Sequence, residues 1–181
     1  APYTISRTKQ SIDRPITMKI KVPADDQEDK QEPEEKDKIP RQRTLYLLVA
    51  GNDKLYYYQP IAEDSDEDQE LNETTYKPTG LRSVITEYQK KAFNSEELKQ
   101  EGFGPDKRQL ITFVKMTDDA TYQNMVDVLD ELAITRQNLY FLDDIKRVEA
   151  EMIADVEKQQ GVKDLSVQET LNNLPEEEEE E

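Results

Sequence analysis

Apolar residues recur along this chain with two different periods, and each change of period marks a predicted element. Met18, Ile20 and Val22 alternate with Lys19 and Lys21. Pro23 closes that run, which reads as a short edge strand. Residues 44–49 (TLYLLV) and Leu55-Tyr56-Tyr57-Tyr58 flank Gly51-Asn52-Asp53. Two strands around such turn chemistry predict a β-hairpin, with its tyrosines on a half-buried face and their hydroxyls toward water. Leu81, Val84, Ile85 and Tyr88 then fall at i, i+3, i+4 and i+7. That spacing predicts a helix from about Gly80 to Lys91, with Thr79 as its N-cap. Residues 92–108 are polar, and Gly102, Gly104 and Pro105 mark them as a loop. Residues 110–114 are apolar on both faces, as a central strand requires.

A second helix follows. Its expected buried stripe is Tyr122, Met125, Val126, Leu129, Leu132 and Ala133, with Asp118, Asp119 and Thr121 at the positive end of its dipole. Residues 139–142 form a last strand. Ile145, Val148, Met152, Ile153 and Val156 repeat at helical spacing to about Lys158, and Gly161 ends that helix.

Two amphipathic crossovers among strands predict an α+β fold: a four- to five-stranded sheet with two helices packed on one face, a C-terminal helix, and disordered acidic tails. The chain divides into a basic segment with the edge strand (1–23), a charged linker (24–41), a globular domain (42–158) and an acidic tail (159–181). Apart from Ala24, the linker holds no apolar residue other than proline before Ile39, too little to offset its ordering entropy. Within the domain, residues 62–75 read as a solvated acidic insert. The final residues, Glu176 to Glu181, repel one another, and removing 170–181 is expected to leave stability unchanged.

Composition narrows the chemistry. The 181 residues carry 41 Asp+Glu against 24 Lys+Arg, a net charge of -17, and no Cys, His or Trp. Thiolate zinc sites, Cys nucleophiles, imidazole bases and His-based zinc motifs are therefore excluded. So large a negative charge argues against a nucleic-acid partner. Asp64, Asp66 and Asp68 alternate like the start of a calcium loop, but Gln69 and Thr75 stand where such a loop needs Gly and Glu. Glycine-rich phosphate loops are absent, and most carboxylates lie in linkers rather than in a fixed pair. No catalytic residue, cofactor or metal ligand is expected, and the chain reads as a binding or mechanical domain rather than an enzyme. It also lacks the run of about 18 apolar residues that crosses a bilayer.

The stretch 110–145, LITFVKMTDDATYQNMVDVLDELAITRQNLYFLDDI, resembles the periplasmic domain of the ExbD/TolR biopolymer-transport family. Thr117, Asp118 and Asp119 stand at the family's polar turn, where the family reads Ala-Asp-Lys, and Tyr122, Val126, Leu129 and Asp130 fill its Tyr…V-x-x-V-M/L-D pattern. TLYLLVAGNDKLYYY resembles the family's first hairpin, and Met18-Lys19-Ile20-Lys21-Val22-Pro23 resembles the segment just after its membrane helix. The likeness spans roughly residues 16–158. Where the family often has Ala-Gly between the last helix and strand, this chain reads Ala133-Ile134-Thr135-Arg136.

The resemblance implies a single-pass protein of the bacterial inner membrane whose transmembrane helix, with a proton-linked Asp, lies upstream of Ala1. It implies an ExbB/TolQ-like channel subunit, a TonB/TolA-like partner, and a homodimer. A TolR-like role, with peptidoglycan as ligand, is the alternative within the family. Outside the family, the alternative is an acidic ligand-binding domain without a motor role. The expected partner contacts are strand edges, which recruit other strands through unpaired N–H and C=O groups. Met18, Ile20, Val22 and Pro23 would form one, and Leu139, Tyr140, Phe141 and Leu142 the other.

Overall fold

The computed structural model describes residues 3–5 and 39–175. The strand expected over 18–23, most of the linker and the run of six glutamates lie outside the described residues.

The hairpin forms where the pattern places it. Strand β2 (Thr44–Val49) returns as β3 (Leu55–Tyr58). Asn52 and Asp53, at φ 55° and 59°, supply the left-handed conformations that a tight hairpin turn needs. The Ala50 N–H donates to Lys54 O at 3.0 Å, and the Lys54 N–H donates to Gly51 O at 3.0 Å. Gly51 is required by crowding, because a Cβ there would lie 2.7 Å from the Asp119 Cβ.

The first half of the acidic insert is a surface loop, but its second half is strand β4 (Gln69–Thr74), antiparallel to β3. A short strand β1 (Tyr3–Ile5) lies beside β4. The sequence reading missed β4 because only Leu71 is apolar in it. Gln69 is also buried, and its side-chain amide donates to the Gln59 carbonyl at 3.1 Å.

Helix α1 is Leu81–Phe93. Its N-cap is Gly80, not Thr79. A Cβ at Gly80 would sit 2.3 Å from the Thr75 carbonyl oxygen, so only glycine fits where β4 turns into the helix. The expected loop 92–108 contains a short helix α2 (Glu96–Gln100), capped by the Ser95 hydroxyl, and buries Leu98. Strand β5 (Ile111–Met116), helix α3 (Tyr122–Ile134), strand β6 (Tyr140–Asp144) and helix α4 (Arg147–Gln159) complete the expected order. Gly161, at φ 82°, ends α4 as predicted.

The fold is α+β. Five strands form one mixed sheet in the order β4-β3-β2-β5-β6, and β1 extends it at the β4 edge. Pairs among β4, β3 and β2 are antiparallel, whereas β2-β5 and β5-β6 are parallel. Both faces of β2 are apolar, and two cores result. Leu45, Leu47 and Val49 face α1 and α3, while Tyr46, Leu48 and Ala50 face α4. The two crossover helices thus share one face, as expected. The C-terminal helix covers the opposite face and makes a third layer. At roughly 25 cal/mol per Å² of apolar area, a both-sided strand such as β2 gains most when neither face meets water.

Three expectations are corrected. The hairpin tyrosines do not aim at water: Tyr46, Tyr56 and Tyr58 are buried beneath α4, and Tyr46 stacks between Tyr58 and Phe113 at 4.9 and 5.4 Å. The buried stripe of α3 is shifted in part. Leu132 is buried and Leu129 packs against the core as expected, but Tyr122 is 80% exposed and Ala133 faces solvent, while Asn124, Val128 and Glu131 are buried. Apolar periodicity misplaced part of that face because its seam carries polar residues with bound partners. Asn124 donates to the Asp53 carboxylate at 2.8 Å, and Arg82 donates to both Glu131 oxygens at 2.9 and 3.1 Å.

The tail, finally, is packed well beyond 159. Helix α5 (Gln168–Asn173) lies against the body, with Ser166, Val167 and Thr170 buried. Its few apolar residues seat in a core already built by α4, so it shows no periodicity of its own.

Candidate functional site

Strand β6 occupies the end of the sheet opposite β4 and, among the described residues, pairs only with β5. Among the described residues no strand takes up its outer main-chain groups, the kind of edge that recruits another strand. Phe141 turns into the α4-side core and stacks on Phe113 at 5.7 Å. Leu139 packs against that same core, while Tyr140 packs partly against the α1–α3 core. Leu142 is 38% exposed. Met18, Ile20, Val22 and Pro23 lie outside the described residues. The structure thus gives β6 an edge position among the described residues.

Asp118 and Asp119 do not cap α3. Thr121 does, through a reciprocal pair with Asn124 at 2.9 and 3.0 Å. Asp119 instead holds α5. Its carboxylate accepts from the N–H groups of Glu169 and Thr170 at 2.8 and 3.1 Å and from the Thr170 hydroxyl at 2.8 Å. That hydroxyl in turn accepts from the Asp118 N–H at 2.7 Å, and Asn173 donates to the Asp118 carboxylate at 2.9 Å. The Gly51 N–H donates to Ser166 O at 2.9 Å. Hairpin turn, β5–α3 loop and C-terminal segment are tied together at one end of the sheet. Tyr122 and Asp130, the other residues of the family-like pattern, are exposed on α3.

No family model, curated protein or solved structure matches this chain.

The most ionisable part of the interior escaped sequence reading. Glu149 on α4 is fully buried and accepts from the Tyr58 hydroxyl at 2.6 Å, Lys115 Nζ at 2.9 Å and the Lys146 N–H at 2.8 Å. The Lys115 ammonium also lies 4.6 Å from the Tyr46 ring centroid. Two turns along α4, Glu157 is fully buried too, accepting from the Tyr56 hydroxyl at 2.7 Å, the Ser166 N–H at 2.8 Å and the Ser166 hydroxyl. Burial, then the nearby Glu149, push the Tyr58 and Tyr46 hydroxyls well above the usual tyrosine range. A signal existed: Lys115 interrupts an apolar central strand, and Glu149 and Glu157 fall inside the apolar stripe of α4. These groups are shielded from solvent and bonded to one another, so they order the sheet–helix interface rather than meet a substrate. Among the described residues, no group of three acidic side chains is placed to hold a metal ion, and no helix is long and apolar enough to cross a membrane.

A cleft of about 570 Å³ opens at the other end of the sheet, where β5 and β6 begin. Arg108, Arg136 and the Phe93 ring line it, together with side-chain amides. Gln137, buried there, donates to the carbonyls of Leu110 and Leu139 at 2.6 and 3.0 Å and fixes the starts of both strands.

Proposed function

We propose that this chain is the periplasmic domain of an ExbD-like, proton-motive-force-coupled subunit. It works with an ExbB/TolQ-like channel and a TonB/TolA-like partner in outer-membrane transport. The observation that carries the reading is element order. Hairpin, helix, strand, helix and strand occur in that order, with β4 inserted before α1 and the short α2 before β5. Both crossover helices lie on one face, and the family-like stretch 110–145 is one β5–α3–β6 unit. The edge position of β6 among the described residues supports a domain that transmits force by strand pairing, which needs main-chain groups rather than a catalytic centre. In this reading the basic residues between 7 and 21 lie near anionic lipid, and the charged linker gives reach.

The gene upstream of Ala1 tests the proposal. One apolar stretch of about 20 residues carrying a single Asp is expected. A cleavable signal peptide, or a start at Ala1, overturns it.

A further inference from the structure

The cleft at the start of β5 and β6 departs from the charge of the rest of the molecule. The chain carries 41 acidic residues, yet none of the residues lining this cleft is acidic and two are arginines. Arg108 is fixed in place. Its Nε donates to the Phe93 carbonyl and its Nη1 to the Phe103 carbonyl, both at 2.8 Å, and the guanidinium lies 4.9 Å from the Phe93 ring centroid. Two backbone bonds and a stacked ring hold the fork in one orientation, and its remaining N–H groups are left over for another acceptor.

Arg136 is the more telling residue. It follows the C-terminus of α3 at φ 58°, the left-handed position that glycine fills most comfortably. Its guanidinium has no hydrogen bond or ion pair among the described residues, and it lines the same cleft. An arginine therefore stands where glycine would be more stable, lining the same cleft as a second, preset arginine. The Phe93 ring, 45% exposed, and Leu139 supply apolar wall, and Gln89 and Asn138 supply amides.

We propose that this cleft binds a free carboxylate carried on an apolar body, held between Arg108 and Arg136 with the body against Phe93. Guanidinium forks fit a carboxylate through two parallel bonds. A phosphate would fit the same forks. A singly charged ligand with apolar surface is favoured because the net charge of -17 opposes more highly charged anions, and because the wall offers hydrophobic contact. The assignment does not depend on a role in transport.

Calorimetric titration of the full chain with N-acetylphenylalanine and its uncharged amide tests it. The acid is expected to bind at least about tenfold more tightly than the amide. Arg136→Gly is expected to weaken the acid by about tenfold or more while raising the thermal midpoint, and Arg136→Lys to retain part of the affinity. Loss of binding in a variant that is more stable than the parent cannot be ascribed to unfolding. If acid and amide bind equally or not at all, or if Arg136→Gly leaves the affinity unchanged, the arginine serves only the negative end of the α3 dipole and the proposal fails. Inorganic phosphate binding as tightly as the acid also overturns it. An Ala-Ala-Ala-Phe peptide distinguishes two sources of the same chemistry. Much tighter binding than the single residue points to a chain terminus, and equal binding to a small organic acid; both support the carboxylate site.

Discussion

Lys115 and Glu149 illustrate what a buried ion pair does to a small domain. Both are desolvated, at side-chain exposures of 1% and 0%, and each satisfies the other at 2.9 Å. Such pairs contribute little net stability, but removing one partner strands the other. Glu149→Gln should therefore cost about 3–5 kcal/mol in a denaturant titration. A Lys115→Met, Glu149→Leu double variant should lose much less than the sum of its singles. A double loss equal to that sum would mean the two groups act independently. Tyr58→Phe removes one neutral donor to the same carboxylate, and a cost of about 1.5–3 kcal/mol is expected.

At the level of elements, the short C-terminal helix is the one whose behaviour departs most from its sequence. Cutting the run of glutamates after Pro175 should leave the thermal midpoint unchanged. Ending the chain at Asp164 instead removes buried Val167 and the Asp119–Thr170 clasp. Together these losses should lower the midpoint by roughly 10 °C. Asp119→Ala in the full chain should reproduce part of that drop. The hairpin, both crossover helices, β5, β6 and α4 were legible because each has an apolar period of its own. Strand β4 and helix α5 were not, since each lends one or two apolar side chains to a core built by other elements. The face of α3 was misread in part for a related reason: Asn124 and Glu131 are buried by virtue of partners 71 and 49 residues away in sequence, which periodicity does not register. Of the candidate site, the β6 edge was legible as a strand. The cleft was not, because Phe93, Arg108 and Arg136 come together only when α1, β5 and α3 are packed.

For the whole molecule, charge and burial set the response to solution conditions. Burial first, and neighbouring carboxylates second, raise the hydroxyls of Tyr46, Tyr58 and Tyr76 above the usual value of 10. A raised folded value favours the neutral form in the native state. Its stabilising effect is complete below pH 10 and lost as pH climbs toward the folded values. Alkaline titration should show tyrosinate absorbance from these three rings only as the protein unfolds. Simultaneous ionisation of all the rings in the native fold would contradict the burial described. The surplus of negative charge should also make the protein more stable in moderate salt than at low ionic strength.

The placement of α4 has a consequence for how the protein is made. It is the sole long helix on its face of the sheet among the described residues, and the bonds that seat it join residues far apart in sequence: Tyr58 to Glu149 across 91 positions and Tyr56 to Glu157 across 101. A chain emerging from the ribosome completes the hairpin and both crossovers while the tyrosine-rich face is still bare. That face closes only after the last part of the domain has left the exit tunnel, so a paused or shortened transcript would yield a half-covered sheet, prone to stick to its neighbours until a chaperone or protease removes it.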